Sequence, residues 1–358
     1  MGGHVCIAMS GGVDSSVAAR LLLEQGCDCV GVTMRLYRDP FGACLSQKSC
    51  CSDEDENDAA IVCEQLGIPH ESLCYTRLFE EKVIRAFVED YEHGRTPNPC
   101  IACNRHLKFD ALLDYARSIG CDSLATGHYA RVGFDAQSGR WQLRRAADES
   151  KDQSYVLYML RQEQLAHLRF PLGELRKSEV RAVGESAGLV NAKKQESQDI
   201  CFIPDGDYGA FLERFTGKHY PAGDFLDGEG KVIGRHRGAV RYTLGQRRGL
   251  NLPMGERVYV CGKDMAQNTV TVGSESALYT RELMAEDVNW LSIPEPGEPL
   301  RVTACTRYHQ KATPATAWAL PGGGLRLVFD EPKRAVTPGQ AVVLYDGELV
   351  LGGGTICE

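Results

Sequence analysis

Three cysteines stand at positions where thiol chemistry could take place. Cys100 and Cys103 form a Cys-X-X-Cys pair in the segment TPNPCIACN, and Cys201 lies much further along the chain in QDICFI. Two prolines restrict the backbone just before Cys100, and Cys103 is predicted at or near the start of a helix, where the helix dipole stabilises a thiolate. The spacing alone is consistent with a dithiol redox pair, half of a metal site, or a catalytic cysteine with a coincidental neighbour.

A glycine-rich turn near the start of the chain could bind phosphate. The run SGGVDSS, from Ser10 to Ser16, follows the predicted strand VCIAM and precedes a predicted helix. Backbone N–H groups and the helix dipole converge on an anion at such a turn, and the serine hydroxyls add donors. Asp14 could help to hold Mg²⁺ beside the phosphates. The run is not a Walker loop, because it lacks the pattern GxxxxGK[ST].

The order of the predicted elements indicates how these residues are positioned. From Val5 to about Gly127, short apolar strands alternate with helices, which predicts an α/β fold with a doubly wound parallel sheet. Ligands of such sheets bind beyond the carboxyl ends of the strands. Turn residues become frequent after residue 200, and from Leu283 the pattern is entirely β, as in a small barrel or sandwich. We therefore expect a catalytic domain (1–204), a small central mixed domain (205–281) and a C-terminal β-barrel (282–358).

Charge and composition restrict the class of partner. The 358 residues carry 40 Lys and Arg against 48 Asp and Glu, so no global basic field favours nucleic acid or membrane. Residues 231–248, which we call the basic stripe, contain six cations and no acid. The cations are Lys231, Arg235, Arg237, Arg241, Arg247 and Arg248. This stripe is either a phosphate-binding surface or a merely solvated hairpin. The chain has 15 cysteines and no recognisable signal peptide or membrane helix, so we expect a cytoplasmic protein. No role is assigned to Cys44, Cys50 and Cys51.

Several motifs resemble those of one known family. SGGVDSS resembles the PP-loop of the ATP pyrophosphatases, which adenylate a substrate oxygen and release pyrophosphate. It is followed, in order, by TPNPCIACN, ATGHYA, KDQSY, SQDICFI and GRHRGAVRYTLGQRRGL. Together these strings resemble the tRNA-specific 2-thiouridylase family. The resemblance implies a PP-loop fold, ATP with Mg²⁺, and adenylation of the C2 oxygen of the wobble uridine in tRNA, followed by its replacement with sulfur.

The same resemblance implies roles for the cysteines. Cys201 resembles the cysteine that carries a persulfide received from a donor protein, and Cys103 resembles the partner nucleophile. Many family members have Asp at the position of Cys100. The trio Cys100, Cys103 and Cys201 instead resembles a three-cysteine version associated with an iron-sulfur cluster, in which three thiolates leave one iron open. The persulfide route and the cluster route therefore both remain open.

The remaining site residues follow from the resemblance position by position. The ATP site would use Ala8, Met9, Ser10, Gly11, Gly12, Val13, Asp14, Ser15, Met34 and Gly127. The target base would contact Asn98, Pro99 and Cys100. The tRNA would contact His128, Lys151, Asp152, Gln153, Arg307, Tyr308 and Gln340. Three of these have an ordinary structural alternative, because Met34 could belong to the core, His128 could be a buried structural histidine, and Tyr308 could pack rather than stack.

The expected function is thus ATP-dependent synthesis of 2-thiouridine in tRNA. Its expected partners are tRNA and a sulfur-donor protein, with no membrane. One alternative is another PP-loop synthetase that adenylates a small carboxylate or amide, although the thiols and the basic stripe argue against it. A second alternative is a non-enzymatic RNA-binding or redox-sensing protein.

Overall fold

The computed structural model describes residues 2–37, 53–194, 200–308 and 310–357. Cys44, Cys50 and Cys51 lie outside the described residues. The first part of the chain contains the strands β1 (His4–Ala8), β2 (Asp28–Arg35), β3 (His70–Cys74), β4 (Ser123–Ala125), β5 (Arg131–Asp135), β6 (Arg140–Arg144) and β7 (Leu168–Arg169). Its helices are α1 (Val13–Glu24), α2 (Asp53–Leu66), α3 (Thr76–Phe79), α4 (Arg85–Glu92), α5 (Pro99–Cys103), α6 (Leu112–Ser118), α7 (Gln162–Leu165) and α8 (Lys177–Ser186).

The predicted parallel sheet is confirmed. Its strand order is β3-β2-β1-β4-β7, and every neighbouring pair is parallel. Buried Val5 and Ile7 of β1 belong to the same apolar cluster as Val17 and Ala18 of α1, which explains the alternation of strand and helix in the sequence. Because β1 and β2 run in parallel, their carboxyl ends meet at one edge of the sheet. The glycine-rich turn at residues 10–16, which we call the phosphate turn, and Met34 are therefore brought to the same edge.

Two long helices contain π-helical segments. Glu80–Ile84 joins α3 to α4, and Asn104–Ala111 joins α5 to α6. The helix predicted near residues 104–119 therefore begins earlier, at Pro99, and includes both cysteines of the Cys-X-X-Cys pair. Proline at the first helical position fits this start, because its missing N–H would have no intrahelical partner there. Segments of π-helix inside longer helices occur frequently at functional sites.

The second part of the chain is the predicted mixed domain. It contains α9 (Tyr208–Thr216), β8 (Gly223–Leu226), β9 (Val232–His236), β10 (Tyr259–Asp264) and β11 (Thr269–Gly273). The strand order is β10-β11-β8-β9, with β11 and β8 parallel and the other two pairs antiparallel. Phe225, Tyr242, Val260 and Val270 fill its small core.

The third part is a closed β-barrel, as predicted. Its strands are β12 (Tyr279–Trp290), β13 (Leu300–Cys305), β14 (Thr313–Leu320), β15 (Gly324–Arg334), β16 (Ala341–Asp346) and β17 (Leu349–Ile356). Pairing of β12 with both β15 and β17 closes the barrel.

The hairpin β5–β6 of the first part joins the barrel, which the sequence did not indicate. Arg144 of β6 pairs with Leu349 of β17, and Arg145 N donates to Glu348 O at 2.8 Å. The predicted boundaries near residues 205 and 282 stay predictions, and the hairpin crosses the division that they imply. Among the described residues, no helix combines the length and the apolar character needed to cross a bilayer.

Candidate active site

The glycine turn has a backbone conformation that only glycine adopts easily. Gly11 has φ +71°, and a Cβ built there would lie 2.2 Å from the carbonyl oxygen of Asp55 in α2. Gly12 precedes α1 as its N-cap and makes no side-chain capping bond. The N–H groups of the first turn of α1 therefore face the turn and are suited to an anion such as a triphosphate.

Hydrogen bonds from the following residues brace this turn. Ser15 Oγ accepts from Ser10 N at 3.2 Å and donates to Gly12 O at 3.0 Å, while Ser16 Oγ donates to Gly12 O at 3.1 Å. Buried Asn191 donates from Nδ2 to Gly11 O at 3.0 Å and to Ser16 Oγ at 2.8 Å. The shape of the turn is thus set before a nucleotide binds, which lowers the entropy lost on binding.

The carboxylate of Asp14 is paired within the protein. Lys177 Nζ lies 2.7 and 2.8 Å from its two oxygens, and Tyr129 donates its hydroxyl to Asp14 Oδ1 at 2.7 Å. A role for Asp14 in holding Mg²⁺ stays a prediction, and it would require the carboxylate to exchange its pairing with Lys177 for the ion. Mg²⁺ usually keeps several waters and binds the substrate phosphates, so the ion is compatible with the turn without Asp14 as a ligand.

The other predicted ATP residues surround the same turn. A Cβ at Gly127, just after β4, would lie 2.8 Å from Ser15 N, so this glycine allows the end of β4 to pack on the turn. Met9 and Val13 are buried core residues, whereas Ala8 and Met34 are half-buried. Met34 packs against two apolar clusters, one of which contains Cys103. This position is therefore compatible both with a core residue and with the predicted contact of Met34 with ATP.

The helix α5 carries two of the three predicted thiols. Asn98 caps it, accepting from Cys100 N through Oδ1 at 3.1 Å, and Pro99 occupies its first position. Cys100 is exposed, whereas Cys103 is only 9% exposed. Three residues apart on one helix, the two thiols lie on neighbouring positions of its surface. In the N-terminal turn of α5, Cys100 is exposed, Asn98 is half-buried and Pro99 is buried, and the base contact expected of these three residues stays a prediction.

Cys201 reaches the same region from the far side of the sequence. It is half-buried and packs against the apolar cluster that includes buried Cys103. The neighbouring Phe202 anchors it, with its ring 5.6 Å from that of Phe79 and 5.3 Å from that of Phe87, both edge-on. The fold therefore brings Cys103 and Cys201 to one cluster, although many residues separate them in sequence.

The three thiols do not form a ready metal site here. Among the described residues, no group of three or more Cys, His, Asp or Glu side chains converges closely enough to hold a metal ion. The set Cys100, Cys103 and Cys201 therefore does not converge as three ligands of an iron-sulfur cluster in this conformation.

Among the residues expected to contact tRNA, His128 is buried. Its ring lies between Phe109 and Phe170, with centroids 5.7 and 6.1 Å away, and its Nδ1 is 2.7 Å from Thr126 Oγ1. Burial lowers the pKa of His128 well below its ordinary value, because desolvation disfavours the charged ring. This burial favours the structural alternative for His128, and the tRNA contact expected of it stays a prediction.

Two residues of the strip at 151–153 make hydrogen bonds within the protein. Asp152 accepts from Ala146 N and Ser154 Oγ and pairs with Arg145 at 3.2 Å. Gln153 accepts from Tyr129 N through Oε1 at 2.9 Å. Lys151 is half-buried. The RNA contacts of this strip stay predictions.

The predicted tRNA contacts in the barrel also make contacts within the protein. Arg307 donates from Nη2 to Leu244 O at 3.1 Å and to Thr337 Oγ1 at 2.6 Å. Tyr308 packs 6.0 Å from the ring of Tyr155, and Gln340 donates from Nε2 to Thr96 O at 2.7 Å. These side chains connect the three parts of the molecule, so a role in RNA binding would be additional to this one.

Most of the basic stripe is exposed. Arg241 is the exception, since it pairs with Glu213 at 2.7 Å and with Asp207 at 3.4 Å. The exposed members are Lys231, Arg235, Arg237, Arg247 and Arg248. Arg235 lies 3.6 Å from Asp224. The stripe is therefore an accessible cationic surface, consistent with phosphate binding.

Sequence reasoning missed the residues that hold the phosphate turn. They are Tyr129, Lys177, Asn191 and Lys194, the last of which pairs with Asp55 at 2.7 Å and Asp58 at 2.5 Å. One signal was available for Lys177, because it begins α8, where a positive charge is unfavourable unless an anion is nearby. The acidic run at residues 53–58 was a second signal that a cation lies nearby, since Asp55 contacts Gly11 of the phosphate turn and pairs with Lys194.

Comparisons with known proteins agree with this arrangement. The model of the tRNA methyl transferase HUP domain matches residues 3–205, that of the tRNA methyl transferase PRC-barrel domain matches 209–274, and that of the aminomethyltransferase beta-barrel domain matches 280–356. The chain is 47% identical to tRNA-specific 2-thiouridylase MnmA of Acetivibrio thermocellus over 98% of both chains. It is 50% identical to the protein of that name from Pelotomaculum thermopropionicum, over 98% of this chain and 96% of that one.

A solved 4-thiouridine synthetase in complex with RNA and ATP aligns with 60% of this chain and 50% of its own, at 18% identity and TM-score 0.37. The parallel sheet, its phosphate turn and the two β domains define a nucleotide-binding enzyme of the PP-loop class. The near full-length identities make the assignment specific: the chain belongs to the tRNA-specific 2-thiouridylase family.

Proposed function

We propose that this enzyme uses ATP to replace the C2 oxygen of the wobble uridine in tRNA with sulfur. The observation that carries the proposal is the common location of its parts. Cys103 and Cys201 share one apolar cluster, and Met34 packs against that cluster from the end of β2, next to the phosphate turn. A nucleotide on the turn and a base at Asn98 would therefore lie near the thiols. ATP is a substrate of the reaction, and Mg²⁺ would neutralise its phosphates.

The chemistry requires activation before sulfur transfer. The uridine O2 attacks the α-phosphorus of ATP, pyrophosphate leaves, and the adenylated oxygen becomes a good leaving group. The N–H groups at the start of α1 would stabilise the charge on the departing pyrophosphate. Sulfur then attacks C2, and AMP departs with the former O2.

Two thiols are needed to deliver the sulfur. A donor protein would leave a persulfide on Cys201, and the Cys103 thiolate would attack the inner sulfur of that persulfide, the Sγ of Cys201, so that the S–S bond to the outer sulfur breaks. This step releases hydrosulfide and forms a Cys103–Cys201 disulfide, while the hydrosulfide attacks C2. A thiol reductant then restores both cysteines. Serine cannot replace either residue, because it can neither accept nor release sulfane sulfur.

Single-turnover thiolation of tRNA tests the proposal. We expect Cys103→Ser and Cys201→Ser to abolish 2-thiouridine, while tRNA-dependent ATP–pyrophosphate exchange persists, because adenylation needs neither thiol. Cys357→Ser, at an exposed cysteine of the barrel, is the matched control and should thiolate normally. Unchanged thiolation by Cys103→Ser would contradict the mechanism. Exchange that requires a small carboxylate and not tRNA would instead favour the alternative synthetase.

The source of sulfur needs a separate measurement. After anaerobic purification, we expect protein without iron or acid-labile sulfide to thiolate tRNA from a supplied persulfide. If such protein is inactive and reconstitution of a cluster restores activity, the cluster route replaces the persulfide route. The Cys100→Ser variant adds a second criterion, because the cluster route needs this thiolate as a ligand and the persulfide route does not.

A further inference from the structure

A short segment of the barrel holds the chain just before the cysteine helix. In residues 337–341, which we call the clamp segment, Pro338 O accepts from Thr96 N at 2.9 Å. Gln340 Nε2 donates to Thr96 O at 2.7 Å, so the barrel holds both backbone polar groups of Thr96. Thr96 stands directly before the Pro97-Asn98 pair that leads into α5. The barrel therefore fixes the entry to the helix that carries Cys100 and Cys103.

Gly339 brings the two backbones into direct contact. It has φ +88°, and a Cβ built there would lie 2.9 Å from both Arg95 Cβ and Thr96 N. The segment is anchored on β17, because Gly339 N donates to Ile356 O and Ile356 N donates to Gln340 O, each at 2.8 Å. Any larger residue at this position would have to push the chain at residues 95–96 away from the barrel.

A second contact holds the chain just beyond the C-terminal end of α5. Arg105 Nη1 lies 2.6 Å from Asp287 Oδ2 of the barrel. Asp287 has φ +51° and lies where the register of β12 shifts against β17, between Glu286 and Asn289. Such bulges commonly redirect a side chain, and here the carboxylate is directed at the residue two places after Cys103.

The space between these two contacts is not filled. A cavity of about 140 Å³ separates α5 from the barrel, and its lining includes Asn98, Ile101, Arg105, Gly339 and Thr355. Close packing normally fixes the position of a helix along its whole length. On this side of α5 the two end contacts must do so instead.

We propose that the C-terminal barrel positions the cysteine helix for sulfur transfer, through the clamp segment before α5 and Asp287 beyond it. This inference rests on the proposed function, because it assigns positioning residues to that reaction. Gly339, Gln340 and Asp287 touch no reacting atom and act through the placement of α5. A misplacement of about 1 Å in a reacting group can lower a rate by about a hundredfold.

The test compares two alanine substitutions with the same backbone strain. Gly339→Ala and Gly322→Ala both place alanine at a positive φ in the barrel, +88° and +85°, but a Cβ at Gly322 has no atom within 4 Å. We expect Gly339→Ala to slow single-turnover thiolation by about tenfold to a hundredfold while the Kd for tRNA stays within about twofold. Gly322→Ala should thiolate at the wild-type rate.

Hydrogen exchange of the peptide spanning residues 96–103 gives a reading that does not depend on activity. We expect faster exchange there in Gly339→Ala than in Gly322→Ala. If the two variants match in both exchange and thiolation, the inference is wrong. If the wild-type protein makes no 2-thiouridine, the proposed function fails, yet the exchange comparison still decides whether the clamp segment orders α5.

Asp287→Asn provides a variant with little risk of misfolding. Asparagine tolerates the left-handed conformation, so this change removes the charge and leaves the backbone unstrained. We expect a smaller loss of thiolation rate, with tRNA affinity unchanged, and faster exchange at the C-terminal end of α5. If Asp287→Asn shows the same hydrogen-exchange rates and the same thiolation rate as the wild-type protein, the contact between Arg105 and Asp287 does not position α5.

Discussion

At the scale of single residues, the phosphate turn contains a carboxylate, that of Asp14, which is neutralised by the ammonium of Lys177. Asp14 is 29% exposed at its side chain and Lys177 is 11% exposed, so their pairing is only partly screened by water. The ammonium neutralises a carboxylate that would otherwise repel the phosphates of ATP. Lys177 thereby prepares the turn for an anion without belonging to it.

Replacement of Lys177 by methionine should therefore weaken both folding and nucleotide binding. Among the described residues, Lys177→Met leaves Asp14 with the Tyr129 hydroxyl and without a paired cation, so we expect the free energy of unfolding to fall by about 2 kcal/mol. The Kd for ATP should rise by about tenfold or more, since the unneutralised carboxylate faces the phosphates. Urea unfolding and equilibrium ATP binding measure the two effects.

Tyr129→Phe is the matched control for that change. It removes one hydrogen bond to Asp14 and keeps the charge pair, so the loss should be about 1 kcal/mol, with ATP affinity nearly unchanged. Wild-type ATP affinity in Lys177→Met would show that the pair is structural only.

At the scale of elements, the strands and the phosphate turn were predictable, whereas the contacts that complete the site were not. VCIAM, CDCVGVTM, HESLCY and DSLATG are each predicted as a strand from their place between predicted helices, and each forms a strand of the parallel sheet. The hairpin β5–β6 has few buried side chains and mixes arginine with aromatic residues. Its sequence therefore lacks the clear alternation of apolar and polar residues from which a strand is predicted. Lys177 and Gln340 reach their partners across long sequence separations, which no local pattern encodes.

The strand β10 of the central domain contains a lysine that burial destabilises. Lys263 Nζ is buried and has no hydrogen-bond partner among the described residues, and desolvation lowers the pKa of Lys263 from 10.5 to about 8. Below about pH 8 the Lys263 side chain is charged in both the folded and the unfolded protein, and the desolvation of this charge lowers the stability of the folded state. Between these two pKa values the unfolded chain binds more protons, so the stability of the wild-type protein rises with pH.

Lys263→Met should accordingly stabilise the protein at neutral pH. We expect the free energy of unfolding to increase by about 1–3 kcal/mol near pH 7, with a smaller gain above about pH 9. Lys231→Met, at an exposed lysine of the same domain, is the control and should change stability little at either pH. Urea unfolding at both pH values provides the measurement, and a gain that does not depend on pH would contradict the role assigned to the buried charge.

At the scale of the whole molecule, the catalytic domain and the barrel share a core. One apolar cluster contains Leu112 and Leu124 of the first part together with Leu291, Val343 and Val350 of the barrel. The interior of the barrel is a separate cluster that includes Val342. Consecutive residues of β16 thus face different cores, because side chains alternate across a strand.

These two valines test whether the molecule unfolds as one unit. Both are fully buried, so Val342→Ala and Val343→Ala should each lower the free energy of unfolding by about 2 kcal/mol. The tryptophans, Trp141, Trp290 and Trp318, lie in the hairpin and the barrel, so their fluorescence reports that region, while far-UV circular dichroism reports mainly the helices of the catalytic domain. Because the shared core couples the two parts, we expect the fluorescence and dichroism midpoints to coincide in urea and to move together in both variants. If the barrel unfolds on its own, Val342→Ala should shift the fluorescence midpoint and leave the dichroism midpoint unchanged. The barrel would then position α5 without sharing the cooperative unfolding of the catalytic domain.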